Sequence, residues 1–299
     1  MHKQTKKYDN VTAYIMLSPV VILLTIFVVI PFINAAKISF YEWGFYYDPV
    51  FTGFRNYYLV FTDDKFANAV WVGLKFVFLV VPIQMFFSFL FAHVIMWMGK
   101  RSSGFVKTSI YIPTVISGII AAIIFGIIYN FDGGILNYVT GLFGMEKIAW
   151  LGETRTALLS IVIPAIWLGF GISTLIMLAG LLDVPSSYYE AAEMEGATSW
   201  KKMIYITIPL MKNVILFLSV TGFVGALQQL ELPLFLTNGG PVTEDGNATL
   251  LPNLYMYNHF RQDLLMGHTI ATAMLLFVVL GTVSAIIFKV LNSEKAIDE

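Results

Sequence analysis

Long apolar stretches alternate with shorter polar ones along the whole chain. Six of them carry little or no charge: Val11 to Ala36, Phe76 to Met98, Thr108 to Tyr129, Thr156 to Leu182, Asn213 to Leu230, and Gly267 to Phe288. Each approaches or exceeds the roughly 20 residues that a helix needs to cross a bilayer. The fifth is the shortest, and Ile206 to Met211 can extend it. No period-two alternation marks barrel strands, and only helices or closed barrels satisfy their own backbone in lipid. The pattern therefore predicts an all-α membrane protein with six transmembrane helices. Pro82, Pro113 and Pro164 fall within or at the edge of spans, where a proline kinks the helix.

The polar breaks carry the next layer of information. The longest charge-rich one between two spans is Ser186 to Pro209, SSYYEAAEMEGATSWKKMIYITIP. Ser187 followed by Glu190 is the capping-box spacing, so a helix is expected to start there. Alanines 191, 192 and 197 favour helix, while Gly196 costs about 1 kcal/mol in a helix interior. Two short helices turning at Gly196 fit best, with Tyr189, Ala192 and Gly196 on one face. The small residues on that face would let another protein approach closely. An ordinary amphipathic loop helix fits the same residues.

Composition agrees with the pattern. Of 299 residues 58% are hydrophobic and 12% charged, about half the charged share of a soluble domain. A net charge of −1 gives no support for a nucleic-acid partner. There is no cysteine, and the four histidines are scattered, so neither a thiolate site nor a histidine metal cluster is expected. The basic start, MHKQTKK, precedes an uncharged run longer than the ~7–15 residues of a signal core, which reads as an uncleaved first span. With that start on the cytoplasmic side, the inside segments carry eleven lysines and arginines and the outside ones seven. Both termini and the Ser186 to Pro209 loop are then cytoplasmic. The expected division is a cytoplasmic tail over 1–10, a transmembrane domain over 11–290 with its cytoplasmic loop at 183–209, and a cytoplasmic tail over 291–299.

Candidate chemistry is sparse. The loop Lys37 to Asn68 is rich in Phe, Tyr and Trp, as an interfacial belt and cap would be, or as a docking rim would be. Asp132-Gly133-Gly134 is a turn signal. In the fifth span Gly222 and Gly225 leave space, and Gln228, Gln229 and Glu231 follow near its outer half. Polar groups at that depth face the bundle or a wet cavity; interhelical hydrogen bonding accounts for them too. In the fourth span Trp167 and Phe170 offer aromatic faces, and Gly169 and Gly171 bare backbone. No span pairs a nucleophile with a general base, so no catalytic residue is expected. No G-x-x-x-x-G-K-[ST] phosphate loop occurs.

The loop residues Glu190, Ala191, Ala192, Gly196, Ile206, Ile208 and Pro209 resemble the EAA loop of permease subunits in binding-protein-dependent ABC importers, with Ile208 where leucine is usual. FTGFRNYYLVF (51–61) within the Lys37 to Asn68 loop, LTNGGP and YMYNHF resemble the maltose-type carbohydrate branch of that family. The resemblance implies that Glu190, Ala191, Ala192 and Gly196 belong to a coupling helix seated on a cytoplasmic ATPase. It implies that Leu168, Gly169, Ile172, Gly222, Gly225, Ala226 and Gln229 line the substrate path, with asparagines of maltose-type relatives falling near Ala226 and Gln229. It also implies a multi-pass protein of a bacterial-type cell membrane, in contact with lipid. Its partners would be a second homologous permease, an ATPase dimer and an extracytoplasmic sugar-binding protein, with no cofactor of its own. The cargo would be a carbohydrate, an oligosaccharide by the branch it resembles. Permeases for non-sugar solutes share the EAA loop and stay open as an alternative. A self-contained secondary transporter would need charged groups mid-span, and none stands out there.

Overall fold

The computed structural model describes residues 2–44, 47–244 and 246–292, with the backbone alone for 2–10, 47, 262–263 and 291–292. Phe45 and Tyr46 of the aromatic loop, and the tail from residue 293, lie outside the described residues.

The chain opens with α1 (His2–Leu24), a π-helical turn over Thr25–Val29, and α2 (Ile30–Ile38). A hairpin of β1 (Tyr41–Gly44) and β2 (Tyr47–Phe51) and the short α3 (Arg55–Phe61) lead into α4 (Asp64–Met96). Then come α5 (Lys100–Val115), α6 (Gly118–Ile128), α7 (Ile135–Leu142) and α8 (Thr154–Leu182). The polar loop holds α9 (Ser186–Met194) and α10 (Ser199–Lys202), followed by a π-helical turn at Met203–Thr207 and α11 (Ile208–Leu210). After it run α12 (Lys212–Leu227), α13 (Glu231–Leu236), a two-residue hairpin of β3 (Val242–Thr243) and β4 (Gly246–Asn247), α14 (Pro252–Asn258), and α15 (Met266–Asn292).

Among the described residues, five helical segments are long and apolar enough to span a membrane: Val11–Ile38, Asp64–Met96, Thr154–Leu182, Lys212–Leu236 and Met266–Val290. The third expected span, Thr108 to Tyr129, is broken. There α5 and α6 bend by 98° at Ile116 and Ser117. The cause is local. Pro113 cannot continue the hydrogen-bond ladder, Ile116 and Ser117 are extended, and Ser117 caps the new helix by accepting from the Ile120 amide at 3.3 Å. By contrast, α4 and α8 run through Pro82 and Pro164 without interruption.

Among the described residues the fold forms two compact units. One comprises residues 2–63 with 256–277. It is organised by buried Asn56, whose amide donates to the Ser39 and Tyr41 carbonyls at 2.9 Å each. Here the aromatic loop becomes a packed cap, with Phe40 against Phe54 and Tyr57, and Tyr41 against Phe51. The other unit comprises residues 64–255 and 278–292. Its core has two patches. Phe76, Val77 and Val80 of α4 meet Ile161 and Val162 of α8 and Phe223 of α12. Further along, Ala92 and Ile95 meet Met177, Leu178 and Leu218. These interior stripes hold the three long helices together, while the remaining apolar surface is left for lipid or partners.

Candidate functional site

Between α4, α8 and α12 lies a cavity of about 460 Å³. All seven residues expected along a substrate path border it: Leu168, Gly169, Ile172, Gly222, Gly225, Ala226 and Gln229. Their convergence follows from helix geometry. Leu168, Gly169 and Ile172 fall on one stripe of α8, and Gly222, Gly225 and Ala226 on one stripe of α12. The glycines of α12 keep the space open. A methyl group at Gly225 would meet nothing within 4 Å, and one at Gly222 only the Val81 side chain at 3.3 Å.

The polar groups of the wall are all neutral: Gln84, Thr114, Ser173, Thr221 and Gln229. The Gln84 amide donates to the Ser173 hydroxyl at 2.7 Å, and the Thr114 hydroxyl to the Leu168 carbonyl at 3.2 Å. The Thr221 hydroxyl donates to the Phe217 carbonyl at 2.7 Å. No ionisable side chain borders the cavity among the described residues. Such a wall can exchange hydrogen bonds with hydroxyl groups but cannot neutralise a charge.

Several sequence expectations move. Trp167 and Phe170 turn away from the cavity, Trp167 packing on Phe125 at 5.6 Å and Phe170 on Phe91 at 5.0 Å between ring centres. Gln228 and Glu231 do not border it either. The Gln228 carbonyl accepts from Asn253 at 2.7 Å, and the Glu231 side chain lies against Gly118 at the start of α6. Gly171 serves helix packing, pressed on the α5 backbone at Ile110 and Tyr111. Gln84 and Ser173 were missed. Their signal was an isolated amide and hydroxyl in otherwise apolar spans, which sequence alone does not place on facing helices.

The polar loop forms a second surface. Pro185, held extended at φ −61° and ψ 134°, starts α9 at Ser186. Ser187 is therefore inside the first turn and the expected Ser187–Glu190 capping box does not form. The turn at Gly196 does form, at φ +74°, with its amide bonded to the Glu193 carbonyl at 3.0 Å. Thr198 then caps α10. The expected common face of Tyr189, Ala192 and Gly196 is divided. Tyr189 and Ala192 are half-buried and turn inward, because the Tyr189 hydroxyl bonds Thr207 at 2.9 Å. Glu190, Ala191 and Gly196 are exposed, beside Met194 at 90% and Trp200 at 67% exposure. An ion pair of Lys202 with Glu193 at 2.6 Å fastens the second short helix to the first.

The comparisons with known proteins cover nearly the whole chain. The sequence pattern of the family described as binding-protein-dependent transport system inner membrane component matches residues 6–296. A probable ABC transporter permease protein, YesP of Bacillus subtilis, is 31% identical over 94% of this chain and 90% of its own. The trehalose/maltose transport system permease protein MalF of Thermococcus litoralis is 29% identical over 83% and 82%. The lactose transport system permease protein LacF of Rhizobium radiobacter is 31% identical over 85% and 84%. Among solved structures, a bacterial ABC transporter importing the acidic polysaccharide alginate has the same fold, with TM-score 0.78 at 21% identity over 99% of this chain and 100% of the other.

Proposed function

The chain belongs to the family of binding-protein-dependent transport system inner membrane components, and from that premise we propose that it is a permease subunit of an ATP-driven importer for a neutral saccharide. The observation that carries the cargo class is the wall of the 460 Å³ cavity, where two amides and three hydroxyls stand among apolar side chains and bare glycine backbone. Sugar recognition needs a few well-placed neutral donors and acceptors in a mostly apolar pocket. A carboxylated sugar would need a cation opposite it, and the alginate importers resemble this chain in fold alone. Relatives named for trehalose, maltose and lactose transport support the same class.

In this reading both termini and the loop 183–209 face the cytoplasm. Glu190, Ala191 and Gly196 offer their exposed surface to a separate ATPase subunit present in two copies, with Ala192 supporting it from beneath. A second homologous permease completes the path, and an extracytoplasmic binding protein delivers the sugar. A fold relative, a bacterial alginate ABC transporter, is known in complex with an alginate pentasaccharide-bound periplasmic protein, which supports that mode of delivery.

The test is uptake by cells that express the whole importer, with and without this chain. Labelled lactose, trehalose, maltotriose and raffinose are compared with oligogalacturonates and an amino-acid mixture. Uptake of at least one neutral saccharide that is lost with the chain is the expected result. Uptake confined to acidic sugars or amino acids, or none of the panel, overturns the proposal.

A further inference from the structure

We propose that Gln84 is a further solute-contacting residue, facing Gln229 across the cavity, and that Gly169 is glycine in order to seat it. The inference rests on the cavity being the solute path. Gln84 belongs to α4, the helix that contributes no residue to the expected path. Its carboxamide nevertheless lies on α8. A methyl group at Gly169 would stand 2.7 Å from the Gln84 Oε1 and 2.8 Å from its Nε2, inside any permitted contact. The amide thus occupies the place of the missing side chain. Ser173, one turn further along α8, fixes it by accepting from Nε2 at 2.7 Å.

That arrangement orients the group. One Nε2 hydrogen is committed to Ser173, which leaves the second hydrogen and the carbonyl oxygen for another partner. Gln84 and Ser173 both border the cavity. The Gln229 carboxamide makes no hydrogen bond among the described residues and borders the same space. Two amides on facing walls can each take a donor and an acceptor from the paired hydroxyls of a sugar ring. Leu168 and Ile172 supply the apolar surface for its C–H face.

The chain contains no cysteine, so single cysteines report accessibility without prior engineering. Gln84→Cys, Gln229→Cys and Ala92→Cys are each placed in the complete importer in permeabilised membranes. Ala92 is fully buried in the core and is the inert control. The probe is 2-sulfonatoethyl methanethiosulfonate, which reacts with hydrated, ionised thiols. Gln84→Cys and Gln229→Cys are expected to react at rates within about fivefold of each other, and both roughly tenfold or more faster than Ala92→Cys. The double variant Gly169→Phe with Gln84→Cys should lose most of that reactivity, because the ring fills the seat.

The outcomes separate. Reaction at Gln229→Cys with an inert Gln84→Cys overturns this inference and leaves the path intact. Inert thiols at both positions overturn the path itself. Equal reactivity at Gln84→Cys with and without Gly169→Phe overturns the seat. Reaction at both positions, blocked by the ring, is the expected result.

Discussion

Gly171→Ala is the sharpest available test of how the spans pack. The residue sits in the middle of α8 against α5. A Cβ built there meets the backbone of Ile110 and Tyr111, with the Ile110 carbonyl carbon at 2.8 Å and the Tyr111 Cα at 3.0 Å, and the Ile110 carbonyl oxygen nearer still. Ordinary contact begins at 3.4 Å. Backbone atoms cannot swing aside as a side-chain tip can, so the two helices must separate. Overpacking of this kind costs about 1–3 kcal/mol, and the rigid obstruction places it near 3. Alanine regains about 1 kcal/mol of helix propensity over glycine. The net loss is about 2 kcal/mol, or a fall of roughly 4–8 °C in melting temperature for a unit of this size. Gly225→Ala is the matched control: it gains the same propensity and meets nothing within 4 Å, so it should melt no lower than the parent. Thermal melting of the purified chains in one detergent, followed by tryptophan fluorescence, measures both. A Gly171→Ala variant as stable as Gly225→Ala would refute the close approach of α5 and α8.

Other consequences are shorter to state. Gly225→Leu should leave membrane abundance unchanged but cut uptake at least about tenfold, since its side chain fills a cavity whose volume, not whose packing, matters there; full uptake would exclude the cavity as the path. Gly196 should tolerate Asn better than Ala, and Ala better than Val, because its φ of +74° strains each in that order by about 1–2 kcal/mol; the readout is sugar-stimulated ATP hydrolysis by the assembled importer, and equal rates for Asn and Val would remove the turn from coupling. Asn137→Leu strands the Trp150 indole N–H and the Ile148 amide, which Asn137 accepts at 2.8 and 3.1 Å, at about 2–3 kcal/mol. Limited proteolysis should then cut within residues 130–150 faster than in the parent. Lys202→Met leaves Glu193 without its cation and should weaken ATPase co-purification, while the charge-swapped pair Lys202→Glu with Glu193→Lys restores part of it.

Much of the fold was legible because its determinants are periodic and long. An uncharged stretch of twenty residues identifies a span whatever packs on it, and α8, α12 and α15 lie within a few residues of expectation, while α4 starts at Asp64, twelve residues before the expected Phe76. The broken span was not legible as broken. Thr108 to Tyr129 has the composition of one helix, and the break depends on Pro113, Ser117 and Gly118 acting together rather than on any loss of apolarity. The capping box failed for a related reason: Ser187 and Glu190 have the right spacing, but the N-cap is Pro185, two residues earlier. At the site, Leu168, Gly169, Ile172, Ala226 and Gln229 came from the family resemblance, and Gly222 and Gly225 from their being small residues in an apolar span. Contacts between helices were not legible. Trp167 and Phe170 share α8 with the cavity residues yet face neighbours instead, and Gln84 enters only because Gly169 is bare.

Two interruptions in the helices border that cavity and bear on its polarity. Thr114 lies in the last turn of α5 before its break, and Gln229 in the gap between α12 and α13; both border the cavity. A helix that ends inside a membrane leaves backbone groups unpaired, which lipid cannot tolerate and a wet space can. The breaks are also adjacent, since the side chain of Glu231, the first residue of α13, lies against Gly118, the first residue of α6. A carboxylate beside the starts of two helices is electrostatically favourable at both. Glu231 therefore reads as the fastening between the interruptions rather than as a contact for cargo, which keeps charge out of the cavity while holding its polar end in shape.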